Sequence, residues 1–374
     1  MKRSDLPEIK QGLKDRILEL CQRLLPDGRR NGRLWVAHNP VTQDYDRSAE
    51  FKVALDRDIG AWKDYRTGEK GDVIGLVAYV HGTDVKGALA WARDFLGFAR
   101  MSTDDRRQMA ERTRQAQARA AEEGERRRLS RMQRAEKIWE SGFQDGSRST
   151  AEHHGRAYFA ARGCPLGAIE NRDLQTFRFA PAQEFWPRAQ WRHENGRRMK
   201  IADGPAFPAV LSAMRMPTGQ ISAVHITFLS PLGPKKLPVS GDENAKLMFG
   251  EAKGAMLRIS HGPEGQPPEM ARQAHPLILC EGIEDGLSLA AAVPEARVWA
   301  AGSLSAIASA PVDLDCVSAV ILARDNDWAN ATALKQFDAA YEALARHGKP
   351  VRVIESHVGK DFNDLIQGDE GEDE

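Results

Sequence analysis

The chain has 374 residues, 53 Lys and Arg against 53 Asp and Glu, and 41% hydrophobic residues. That length accommodates two or three domains with cores of their own, and the composition is that of a soluble protein. No apolar stretch approaches the ~20 residues of a membrane span, and Met1-Lys2-Arg3-Ser4-Asp5 leads into charged sequence without a secretory h-region, so no membrane partner and a cytoplasmic location are expected. Cys21, Cys164, Cys280 and Cys316 are far apart and form no CxxC pair, which argues against a disulfide framework and against zinc. Zero formal net charge hides an asymmetry: Glu281–Glu374 hold 7 basic and 18 acidic residues, a net of −11, and residues 1–280 carry the balancing +11. A basic front and an acidic back fit a protein that holds nucleic acid with one part and reacts with another; chance imbalance is the alternative.

In chain order, Ile9, Leu13, Ile17, Leu20 and Leu24 predict one amphipathic helix over 9–25, stopped by Pro26. Strand patterns follow at Leu34–Val36, Phe51–Leu55 and Ala61–Tyr65. Asp72 precedes a helix beginning at Val73, and a second helix near Val85–Leu96 closes a small α+β unit. Residues 103–139, rich in Arg, Gln, Ala and Glu, predict a long solvated helix or helical linker, with 12 basic and 7 acidic residues between Arg100 and Lys137. A helix is expected over His153–Arg162. Pro208–Met216 and Ile221–Ser230 flank Pro217-Thr218-Gly219-Gln220, a hairpin signal. Phe185–His193 with Arg197 and Arg198 interleaves aromatics and cations. Arg188, Trp191, Arg192, Arg197 and Arg198 are therefore candidates to hold a single strand by stacking and phosphate contacts; a packed hairpin with Arg covering Trp is the alternative.

Three acids near the C-terminus carry the chemistry. Glu281 ends the apolar run Pro276–Cys280, and Asp325 and Asp327 end the run Val317–Ala323, with a helical stretch, Asp285–Ala292, between. Strand, helix, strand in a parallel sheet places the strand C-termini on one edge. Three carboxylates there call for a cation, and oxygen ligands suit Mg²⁺ or Mn²⁺: a phosphoryl-transfer site in outline. The segment Gly368–Glu374 reads as a disordered acidic tail.

Leu279-Cys280-Glu281-Gly282-Ile283-Glu284-Asp285, Asp325-Asn326-Asp327 and Gly359-Lys360-Asp361-Phe362-Asn363-Asp364 together resemble the Toprim domain of bacterial-type primases, topoisomerases and some nucleases. One position departs: Asn330 stands where primases usually have a Gly that opens the next helix, and Asn tolerates the same backbone. Ala157–Gly163, Ala213–Ile221 and Ala245–Met248 resemble, in the family's order, elements of the primase catalytic core. Lys63–Ile74 is similar to the second half of a primase zinc ribbon, with Asp64 and Thr67 at the positions of two cysteines, so the ribbon is expected without its zinc. His38 alone cannot hold structural zinc, and Trp35, Trp62 and Tyr65 are expected to pack in its place.

The resemblance implies an α+β and α/β multidomain chain: a zinc-ribbon-like DNA-binding domain over 1–99, a helical linker over 100–150, the N-terminal part of a primase core over 151–270, a Toprim domain over 271–367 and the tail. It is closest to stand-alone primases of phages, plasmids and other mobile elements, since no Gly-x4-Gly-Lys-Ser/Thr of a fused helicase is present. It implies template-directed primer synthesis on single-stranded DNA from nucleoside triphosphates, with a separate replicative helicase as a further partner. Glu281, Asp325 and Asp327 would bind Mg²⁺ or Mn²⁺, Glu281 doubling as general base. Asp285 and Asp361 would extend the metal site, and Arg215, Lys246 and Lys360 would contact triphosphate or template; exposed basic residues are the alternative for Arg215 and Lys246. A Toprim nuclease and a non-catalytic DNA-binding module are the rival functions.

Overall fold

The computed structural model describes residues 5–42, 48–98, 103–194, 197–326, 331–356, 359 and 361–367. The chain divides into two compact units, Met1–Gly124 with His193–Met199 and Glu125–Arg192 with Lys200–Glu374. It is a mixed α+β multidomain protein, as the sequence implied. The segment 368–374, read as a tail, lies outside the described residues.

In the first unit the predicted helix over 9–25 is two helices, α1 (Leu6–Asp15) and α2 (Ile17–Leu24). Arg16 between them leaves helical geometry, at φ −110° and ψ 29°, and its guanidinium donates to the Phe95 carbonyl at 3.0 Å. The apolar period survives the break because Ile9, Leu13, Ile17 and Leu20 all enter one core.

An antiparallel sheet follows in the order β1 (Arg29–Asn31), β2 (Leu34–Ala37), β3 (Phe51–Ala54), β4 (Trp62–Asp64) and β5 (Lys70–Gly71). Trp35, Val53 and Trp62 pair across β2, β3 and β4 and are buried. The neighbouring row, on the opposite face, reads Arg29, Val36, Lys52, Lys63, Lys70 across all five strands.

Period-two alternation also explains one departure from expectation. Trp62 and Asp64 point inward, so Tyr65 points out and is 57% exposed rather than packed in the core. Its ring lies 4.4 Å from the Lys52 ammonium and 4.7 Å from that of Lys63. His38, weighed as a leftover ligand, is paired with Asp27 at 2.9 Å. Two helices close the unit. The predicted cap is present on α3 (Val73–His81), where Asp72 accepts from the N–H groups of Ile74 and Gly75. On α4 (Val85–Phe95), Asp84 accepts from the N–H of Gly87.

The boundary between the units falls within α5 (Thr103–Glu140), a 38-residue helix. Then come β6 (Phe143–Gln144), α6 (Thr150–Ala161), β7 (Phe177–Glu184), the two-stranded pair β8 (Gln190–Glu194) and β9 (Arg197–Ala202), and β10 (Ala206–Arg215). Next are β11 (Ile221–Phe228), β12 (Lys246–Gly250), β13 (Met256–His261), β14 (His275–Cys280), α7 (Ile283–Ala292), β15 (Arg297–Ala300) and α8 (Leu304–Ile307). The chain continues through β16 (Val317–Arg324), α9 (Ala331–Ala345), β17 (Val351–Glu355) and α10 (Phe362–Gln367).

One mixed sheet runs β12-β11-β10-β13-β15-β14-β16-β17, with β7 also on β10 and β6 on β7. The predicted hairpin is β10–β11. Its strands are buried along most of their length, since apolar clusters cover the sheet on both faces. The strands β15, β14, β16 and β17 are mutually parallel, so their C-terminal ends share an edge.

Candidate active site

Glu281 follows β14 and Asp325 follows β16. Leu279 pairs with Leu322, so the two acids leave the sheet within one residue of the same level. They line one cavity of about 300 Å³ with Asp285 from the first turn of α7 and Asp361 just before α10; Lys246 from β12 and His225 from β11 also line it. Burial, with the charges of Asp361 and Asp325, lifts the Asp285 carboxyl to about 7, against an opposing hydrogen bond from the Asn363 N–H.

Backbone geometry keeps this arrangement tight. Gly282 caps α7, and a Cβ there would stand 2.1 Å from Asp285 Oδ2, so only glycine leaves room for the carboxylate. Asp361 accepts from the Asp364 N–H at the start of α10. Asn363 is fully buried and fastens α10 to α7 by donating to Ser288 at 3.2 Å, and to the end of α6 through the Arg162 carbonyl at 2.7 Å.

Residues 276–372 match the family described as a Toprim domain. The four acids all lie within that match. Residues 130–259 match a domain of unknown function, DUF7146. No curated protein matches the chain. Among solved structures, the Aquifex aeolicus primase (zinc-binding and RNA polymerase domains) aligns at 14% identity over 98% of this chain and 82% of that one, TM-score 0.40. The Escherichia coli primase catalytic core aligns at 18% identity over 60% and 72%, TM-score 0.38. A DNA primase domain from Pseudomonas aeruginosa aligns at 16% identity over 52% and 62%, TM-score 0.34.

The Toprim segment carries a second cluster that the sequence did not reveal. Glu284, 5% exposed, is bound by Lys236 at 2.8 Å, Lys246 at 3.2 Å and the Tyr158 hydroxyl at 2.5 Å. Burial works against its charge, but Lys246 and Lys236 outweigh burial and hold the carboxyl far below its ordinary range. Burial likewise works against the Lys246 charge, and Glu284 more than offsets it, so its pKa is raised. For Lys236 burial wins and the pKa is lowered. Burial and the Lys246 charge bring His225 down to about 4, leaving a neutral imidazole beside the acids. In the sequence Glu284 stands only as an unassigned member of the Leu279–Asp285 motif, and Tyr158 as an unassigned member of the Ala157–Gly163 element. Lys236 falls in the stretch 231–244, rich in Gly, Pro and Lys.

The remaining candidates are dispersed. Arg215 is not brought to the acids; it is buried on Asp173 at 2.5 Å and donates to the Gln175 carbonyl, lining a different cavity. Arg188 is engaged by both oxygens of Glu243, at 2.8 and 2.7 Å. Trp191 and Arg192 lie exposed on β8. Asp327, Lys360 and the side chains of Arg197 and Arg198 lie outside the described residues.

Among the described residues no three His, Cys, Asp or Glu side chains close on one point as an ion-holding group. The donor set still fits a hard cation. Glu281, Asp325, Asp285 and Asp361 offer carboxylate oxygen alone, and beside its burial Asp285 meets the charges of Asp361 and Asp325, a repulsion that a divalent ion relieves.

Proposed function

We propose that this chain is a DNA primase, joining nucleotides from triphosphates into short oligomers on a single-stranded DNA template. The observation that carries the proposal is the convergence of Glu281, Asp325, Asp285 and Asp361 with Lys246 on one cavity at the strand ends of the Toprim segment. In this reading Glu281 and Asp325, with Asp327, Asp285 and Asp361, hold Mg²⁺ or Mn²⁺. When bound, the metal lowers the pKa of an attacking 3′-hydroxyl and neutralises charge on the departing pyrophosphate.

The chain's own residues do the rest. Lys246 faces the cavity and supplies a fixed cation for triphosphate oxygens. Glu284 and Tyr158 position it, with Lys236 as a second cation on the same carboxylate. The Glu281 carboxylate takes up the proton of the attacking hydroxyl. Neutral His225 adds no charge against Lys246. The basic row on the five-stranded sheet, with Tyr65 exposed between Lys52 and Lys63, suits the phosphates and a stacked base of a single strand. A separate helicase as partner belongs to the same proposal.

The test supplies the full chain with single-stranded template, labelled ribo- or deoxynucleoside triphosphates and Mg²⁺ or Mn²⁺. Template-dependent oligomers that vanish in Asp325→Ala support synthesis. Shortened template would instead assign a nuclease, and template binding with no product would leave a non-catalytic module.

A further inference from the structure

A polar pair lies inside the sheet behind the acid cavity. His225 on β11 is 4% exposed, and its Nδ1 is buried without a hydrogen-bond partner among the described residues. Ser212 on β10 stands directly across from it, fully buried, and its hydroxyl has no partner among them either. Val210 and Met214, flanking Ser212 on the same face, and Ala223, on the same face of β11, belong to one hydrophobic core. A polar pair set among apolar neighbours costs stability when the protein leaves it unsatisfied, and a ligand group can supply what is missing.

The imidazole opens toward the acids. His225 lines their cavity together with Gly302, and a Cβ at Gly302 would stand 3.4 Å from His225 Cδ2. That edge of the ring carries Nε2, so Nε2 is the nitrogen turned to the cavity, and the glycine leaves it uncovered. Thr227, two residues along β11 from His225, pairs with Lys246, so the imidazole and the Lys246 ammonium rise from adjacent rows of one face. The charged parts of a nucleotide have other partners here: Lys246 for the triphosphate, and the acids through a divalent ion. A neutral imidazole offers one donor and one acceptor, assigned according to which nitrogen holds the proton. A phosphate oxygen can only accept and satisfies Nε2 in one tautomer. A hydroxyl donates and accepts, so it satisfies Nε2 in both.

We propose that His225 Nε2 hydrogen-bonds a ribose hydroxyl of the nucleotide in the acid cavity and makes the site select for that hydroxyl. The inference rests on the reading that a nucleoside triphosphate binds there, and not on the reaction that follows.

The experiment is calorimetric titration of the full chain, in Mg²⁺ and without template, with ATP, 2′-deoxy-ATP and 3′-deoxy-ATP. ATP should bind about tenfold more tightly than one of the two analogues, the value of one neutral hydrogen bond. The weaker analogue identifies the hydroxyl, and the other should bind as ATP does. His225→Phe should weaken ATP about tenfold and leave the weaker analogue unchanged, so that the preference disappears. His225→Gln, whose amide donates and accepts at the same reach, should keep it. Equal binding of all three nucleotides by the parent chain, a test that needs no substitution, overturns the inference and leaves the nucleotide reading standing. Binding of none of them overturns both. A preference that persists in His225→Phe also overturns the inference. So does a loss in that variant shared alike by all three nucleotides, which would assign the imidazole to the triphosphate, the base or the fold.

Discussion

The Asn39 side-chain amide donates to the Asp64 carboxylate across 2.5 Å and so joins two turns built the same way. Asn39 Oδ1 accepts from the N–H groups of Val41 and Thr42, at 2.8 and 3.2 Å. Asp64 Oδ1 accepts from those of Arg66 and Thr67, at 2.8 and 3.4 Å. Each side chain thus binds the backbone two and three residues ahead of it. Asn39 also donates to the Tyr79 hydroxyl, whose ring packs against Trp62. In the resemblance drawn from the sequence, Asp64 and Thr67 occupy cysteine positions; here a buried hydrogen-bond chain links the turns.

Asp64→Ala or Asn39→Ala should therefore destabilise the chain by about 2–3 kcal/mol, because each leaves buried partners unsatisfied. Burial would raise the Asp64 pKa, but Asn39 and the two N–H groups outweigh burial and lower it. The contribution is accordingly present above the ordinary carboxylate range and lost as pH falls below it. Calorimetry of the full chain reads both effects. Dialysis against a chelator should leave the melting temperature unchanged; a drop of many degrees would place a structural metal in this unit.

Gly282→Ala tests the acid cavity without removing an acid. The new Cβ displaces the Asp285 carboxylate, and a displacement of about 1 Å at such a site costs on the order of a hundredfold in rate. Primer synthesis should fall by that order while thermal unfolding stays near that of the parent. Undiminished synthesis would remove Asp285 from the site.

Glu284 holds two ammonium groups and a phenol at one buried point. Glu284→Gln should cost about 3–5 kcal/mol, the range for breaking a buried charge cluster. Tyr158→Phe should cost about 1 kcal/mol for its single bond. Urea unfolding of both variants and their double mutant gives the coupling, and additive effects would show that the phenol does not serve the carboxylate.

Glu152 supplies a pH signature. Its N–H donates to the Ser149 hydroxyl that caps α6, and its carboxylate accepts from the N–H groups of Gly146 and Arg148, from Ser147 and from Arg156. Burial would raise its carboxyl; these donors outweigh burial and bring it to about 2. Its stabilisation is full above about pH 4.5 and disappears as pH falls through about 2. Glu152→Gln should flatten the stability profile over that window, and an unchanged slope would show that other carboxylates govern the acid limb.

What was legible in the sequence was local. The runs ending at Glu281 and Asp325 gave two buried parallel strands, Asp72 gave a cap, and the turn at Pro217–Gln220 gave a hairpin. What was missed depends on distance along the chain. Arg215 finds Asp173 42 residues away, and Tyr158 finds Glu284 126 residues away. No periodicity encodes such pairs, and burial of an arginine or glutamate is decided by the partner. The α1–α2 break was hidden for another reason, since a one-residue kink at Arg16 leaves the apolar stripe on the same core.

The row Arg29, Val36, Lys52, Lys63, Lys70 opposes its own sheet. Lys52 stands directly across from Lys63, and Lys63 from Lys70, and like charges so placed destabilise a sheet. A polyanion on that face reverses the sign of the effect. Lys52→Ala with Lys63→Ala should therefore raise the melting temperature of the free chain and weaken its binding to single-stranded DNA. The plot of log affinity against log salt should become shallower by about 1.4, two phosphate contacts at roughly 0.7 each. Tyr65→Ala removes a stacking platform without removing charge, so it should lose about 1–3 kcal/mol of affinity with the salt slope unaltered. Fluorescence anisotropy across a salt series separates the two behaviours. If the double lysine variant is stabilised while binding as tightly and as steeply as the parent, the nucleic acid lies on some other surface.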